Sequence, residues 1–146
     1  MIAALTGAAA VVAFLVYELP RLREARQIAL GRSVYAVNCA QCHGRKLEGQ
    51  PDWRTPLANG RLPAPPHDAS GHTWHHSDEM LFNITRNGLK PYAGENYESD
   101  MPAFAGVLKD EEITAAIAFI RSTWPEREHA YQRQVTLQQT KRAGPK

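Results

Sequence analysis

Cysteine is scarce in this chain of 146 residues: there are two. A disulfide-dense scaffold is therefore excluded. An excess of one charge is missing as well. The 17 Lys+Arg and 15 Asp+Glu leave +2, which gives no footing to a nucleic-acid partner. Apolar side chains are short where a core should be. From Met1 to Tyr17 every residue but Thr6 and Gly7 is apolar. The rest of the chain is only about 37% apolar, thin for a packed interior. A domain that poor in apolar side chains draws on a metal, a cofactor or a partner. The length suits one domain.

The apolar start is uncharged from Ile2 to Tyr17. As a helix it rises roughly 24 Å, short of a ~30 Å hydrocarbon core, and continuing to Pro20 just reaches. A cleaved signal peptide wants a basic leader and a small-residue cleavage site. Here Met1 abuts the apolar run and Tyr17-Glu18-Leu19-Pro20 follows it. The expectation is a transmembrane anchor over residues 1–20, with a signal peptide or a buried core helix as alternatives. Arg21, Arg23 and Arg26 then follow. By the positive-inside rule they would hold the remainder of the chain in the cytoplasm.

Beyond the anchor the spacing predicts an all-α domain over residues 21–125. Leu22, Ala25, Ile28, Val34 and Tyr35 recur at helical intervals between Leu19 and Asn38, with Pro20 at the start. Residues 44–76 hold five prolines and four glycines and read as loop. A loop of that length needs something to organise it. Ser77 reads as the N-cap of a helix over Asp78–Asn87, and Gly88 as its stop. Residues 89–106 read as loop. Asp110 reads as the cap of a helix whose apolar face is Ile113, Ala116, Ile117, Ile120 and Trp124, ended by Pro125. Residues 126–146 are polar and basic and read as a frayed helix passing into a disordered tail. No segment reads as a strand.

Both cysteines fall in Cys39-Ala40-Gln41-Cys42-His43. This is C-x-x-C-H, the attachment signature of a c-type haem. Each thiol adds to one vinyl group. Two intervening residues in a helical turn set the sulfurs at the vinyl separation, and the next residue aims its imidazole at the iron. A thioredoxin-like pair would want a βαβ context, which is missing. A zinc site would need two more ligands, and His72 and His76 lie too far downstream for a finger.

With Gly31 and Tyr35 at four-residue steps before Cys39, Met101-Pro102 on a late loop and Phe119 on the last apolar helix, the chain resembles the class I c-type cytochromes over roughly residues 28–125. The resemblance implies the cytochrome c fold, three to five helices with long ordered loops around one haem. It implies one haem c bound covalently through Cys39 and Cys42, with His43 and Met101 as the iron ligands. Gly31 and Tyr35 would then pack on Phe119. A loop proline carbonyl orients the proximal imidazole in such proteins, with Pro65 the first choice. Trp74 and Arg86, with Trp53 and Arg54 as further candidates, would hold the haem propionates.

Four of the six histidines, His67, His72, His75 and His76, crowd the run before Ser77. They fit a polar loop beside the haem, one of them as a second iron ligand, or a separate copper site. In bacterial members of that family haem is attached on the outer face of the inner membrane. That implication outweighs the arginine flank and places the domain in the periplasm. The function expected is that of a membrane-anchored carrier of single electrons, not an enzyme. Its partners would be a quinol-oxidising complex and a terminal oxidase or other periplasmic acceptor. The alternatives are a haem-bearing subunit of an oxidase or dehydrogenase complex and a haem or copper sensor using the His67–His76 loop.

Overall fold

The computed structural model describes Val12, residues 14–94 and residues 96–144. Among them are six α-helices and no strand, with one isolated bridge between Ala105 and Leu108. A π-helical turn, Phe14–Glu18, runs into α1 (Leu19–Asn38). Pro20 sits in the first turn, where a missing N–H costs nothing. A short α2 (Ala40–His43) follows directly after Cys39 and carries the second cysteine. Then come α3 (Asp78–Asn87), a short α4 (Lys90–Ala93), α5 (Asp110–Ser122) and α6 (Glu126–Ala143).

The frame is the crossing of α1 on α5, the most extensive helix contact in the fold. Gly31 makes it possible: a Cβ there would stand 1.8 Å from the Ala115 carbonyl oxygen. Around the crossing Tyr35 meets Phe119, with ring centroids 5.4 Å apart. Leu47, Ile120 and Trp124 complete one cluster, and Phe104, Ile113 and Ile117 form a second. Leu81 of α3 touches both. Burial on α1 is confined to Gly31, Val34 and Tyr35. Leu22 is exposed, against the spacing argument, as is most of α1 before Gly31, where only Leu19 and Ile28 are half-buried.

Ser77 caps α3 by accepting the Met80 N–H at 3.2 Å, and Gly88 ends it at φ 78°. The start of α5 differs from expectation by one residue. Lys109 occupies the cap position, and the Glu112 carboxylate reaches back to accept its N–H at 2.8 Å. That is the return bond of a capping box.

The C-terminal segment differs more. Residues expected to fray form α6, an ordered helix to Ala143. Its docking is polar, so no hydrophobic pattern announced it. Gln132 is fully buried and donates to Asp78 Oδ1 at 2.8 Å, Thr136 Oγ1 accepts the Asp78 N–H at 3.1 Å, and Ser77 bonds Gln139.

The expected anchor over residues 1–20 falls largely on residues 1–11 and 13, outside the described ones. Among the described residues no helix is long and apolar enough to cross a membrane.

Candidate functional site

The long loop from 44 to 76 is ordered by hydrogen bonds that converge beneath α2. Gly49 N–H donates to His43 O at 2.8 Å, and His67 N–H to Leu47 O at 2.8 Å. The Tyr35 hydroxyl donates to Gly44 O at 2.8 Å, and the Trp124 indole N–H donates to His67 O at 2.7 Å. Leu47 is itself buried in a left-handed conformation, φ 69°, which turns the chain under the α1–α2 junction.

These bonds place Pro65 under the C-x-x-C-H turn. His43 is buried, and its Nδ1–H donates to the Pro65 carbonyl at 2.8 Å. That bond fixes the tautomer and leaves Nε2 as a free lone pair. Burial lowers the His43 pKa, and the Pro65 hydrogen bond opposes that only in part. The imidazole is therefore neutral near pH 7, as a metal ligand must be. Cys39 and Cys42 are both free thiols, Cys39 half-buried and Cys42 exposed. Burial, with the neighbouring Cys42, pushes the Cys39 thiol up to about 11.

Cys39, Ala40 and Trp74 pack against the Tyr35 cluster, while Met101 packs against the Phe104 cluster. The two groups adjoin through Leu81. Met101 sits on the loop between α4 and α5, where its N–H donates to Ser99 Oγ at 3.1 Å. Exposed Arg61 ties the long loop to this one through Glu98, at 3.0 Å, and Asp100.

The donor set fits a covalently held haem with two propionates. Two thiols are free, one imidazole nitrogen is free, and two buried ring nitrogens lack any partner in the protein: His72 Nδ1 and Trp74 Nε1. Buried polar atoms without partners are rare, and carboxylates would supply the missing ones. Trp74, expected to hold a propionate, is one of the two. Arg86, expected in the same role, is already engaged: its guanidinium bonds Asp110 at 3.1 Å and Asn87, clamping the end of α3 to the start of α5. Arg54 lies over the Trp53 ring, 4.0 Å from its centroid.

The histidine loop does not assemble a metal site. Among the described residues no group of three or more His, Cys, Asp or Glu can hold a metal ion. The rings go instead to stacks: His72 on Trp53 (5.3 Å), with His76 edge-on to His72 (5.4 Å), His75 on Trp74 (3.8 Å) and His67 on His43 (4.0 Å). Burial lowers the pKa of His72 and His76, with neighbouring histidines adding to it, and lowers that of His67 well below the usual value.

Sequence reasoning missed the His67 stack and the Trp124–His67 bond. Trp124 is apolar by type, and nothing in its spacing marks the partner of its indole nitrogen. Comparison with curated proteins and with solved structures gives no match. A family model described as Cytochrome c matches residues 28–124.

Proposed function

The chain belongs to the cytochrome c family, and from that premise we propose that it is a membrane-tethered carrier of single electrons on the outer face of a bacterial inner membrane. It binds haem c covalently, and the haem makes it an electron carrier by cycling iron between two oxidation states. One observation carries the reading of the site: His43, last residue of C-x-x-C-H, gives its Nδ1–H to Pro65 and keeps Nε2 free. Cys39 and Cys42 hold the porphyrin, His43 is the proximal ligand and Met101 the distal one. Pro65 fixes the imidazole tautomer and raises its basicity. Trp74 supplies a buried N–H to a propionate. His/Met ligation raises the reduction potential above that of a bis-His site.

The tether is argued from the apolar run that ends at Tyr17. Its described members Val12, Phe14, Leu15, Val16 and Tyr17 are all exposed and find no partner in the domain. The outer face follows from where bacterial members of the family receive their haem. Electron donors and acceptors are a quinol-oxidising complex and a terminal oxidase or another periplasmic acceptor, met through weak, steered encounters.

The test is spectroscopic. The oxidised protein has the weak red charge-transfer band of His–Met ligation, and Met101→Ala abolishes it while the haem stays covalently attached. A band that survives Met101→Ala refutes the ligand assignment. Recovery of the protein in the soluble fraction refutes the tether. Co-purification as a stoichiometric complex refutes free carriage and makes the chain a complex subunit.

A further inference from the structure

Among the histidines outside the C-x-x-C-H motif, His67 alone lies against the proximal side. Its ring stacks on that of His43, with centroids 4.0 Å apart and planes 24° from parallel. Three contacts fix it there. Its Nδ1 is 2.7 Å from Thr73 Oγ1, and Thr73 is buried in the helical turn Thr73–His75. Its carbonyl accepts the Trp124 indole N–H at 2.7 Å. Its ring edge faces Tyr35, at 6.3 Å between centroids. Side chains held by packing and hydrogen bonds in this way determine the orientation of the group they touch.

We propose that His67 is a positioning residue for the proximal imidazole: its flat ring, held by Thr73, fixes the rotation of the His43 ring about its bond to the iron. Pro65 alone cannot do this, because one hydrogen bond to a ring nitrogen leaves the plane free to swing about that bond. The Pro65 bond and the His67 stack together define the plane. Both contacts come from the same tripeptide, Pro65-Pro66-His67, so one loop segment fixes both. The inference rests on His43 as the iron ligand.

The experiment is ferric electron paramagnetic resonance of the holoprotein at low temperature, which reads the orientation of the ligand planes through the position and width of the low-spin signal. His67→Phe keeps a flat ring and His67→Leu keeps bulk without a flat face. The proposal expects a parent-like signal from His67→Phe and a shifted, broadened one from His67→Leu. Equal signals from the two variants overturn it. Thr73→Val removes the hydroxyl that holds the stacked ring, along with its longer 3.4 Å bond to the Pro66 carbonyl, and is expected to broaden the signal. If His67→Leu fails to take up haem, a parent-like Thr73→Val signal overturns the proposal. His43→Ala is the control: persistence of the parent's low-spin signal refutes His43 ligation, and the positioning role with it.

Discussion

Replacing Gly31 by Ala pits two well-known effects against each other. A methyl group at that position would stand 1.8 Å from the Ala115 carbonyl oxygen, 2.4 Å from its carbon and 3.0 Å from the Ala116 nitrogen. All three are backbone atoms of α5, so no side chain can rotate out of the way. The helices must part by roughly 1.5 Å to restore van der Waals contact, in an interior packed as densely as an organic crystal. Overpacking costs about 1–3 kcal/mol, and a backbone obstacle puts this case at the upper end. In the other direction, Ala favours a helix interior by about 1 kcal/mol over Gly. The net loss is about 2 kcal/mol. For a domain of this size that lowers the melting temperature by about 8 °C. Thermal unfolding of the holoprotein, followed by far-ultraviolet circular dichroism, measures it. If helix propensity governs instead, the variant melts about 4 °C higher than the parent. An unchanged or raised midpoint would refute the close crossing.

Trp124→Phe keeps the ring in the Tyr35 cluster but leaves the His67 carbonyl without its 2.7 Å donor. The expected cost is about 1–2 kcal/mol, together with faster amide exchange around residues 65–73. Unchanged exchange there would show that the bond does not hold the loop. Acid weakens the fold through His76, whose pKa burial lowers in the native state, with neighbouring His75 adding to it. The unfolded chain takes up a proton at about pH 6.5 that the native state refuses. The contribution is therefore complete above about pH 6.5 and is lost as the pH falls toward the native value. The urea midpoint should drop between about pH 7.5 and 5.5, and drop less in the variant His76→Gln. A flat profile over that interval removes the argument.

The helical frame was readable because its signals are local. Ser77 and Gly88 bracket α3 as expected, and Gly31 and Tyr35 meet α5 and Phe119. The haem-binding motif was readable because C-x-x-C-H is contiguous. What escaped was polar and distant in sequence. The docking of α6 rests on Gln132, Thr136 and Gln139, residue types that also suit a solvated tail. Arg86 looked as suitable for an anionic group as any arginine, and only the fold shows it bonded to Asp110. The histidine run invited a metal, yet its rings stack on Trp53, Trp74 and His43, and no three of them gather at one point. Spacing in sequence predicts which residues are near one another, and ring orientation decides whether they converge.

The two loops that flank the proposed iron ligands are fastened by different means. The proximal loop, 44–76, is held from within by the indole of Trp124, the hydroxyl of Tyr35 and the backbone of Leu47. The loop bearing Met101 is held at its end by backbone bonds from Phe104 to Thr85 and from Ala105 to Arg86. Across the surface it is held by the ionic clasp of Arg61 on Glu98 and Asp100. An exposed clasp of this kind contributes little to stability, and salt screens it over about 8 Å under physiological conditions. The fold therefore has one stiff wall and one compliant wall. On the proposed ligation, loosening begins on the methionine side, while the histidine keeps its place. A charged partner that competes for Arg61 would act as a lever on the compliant wall.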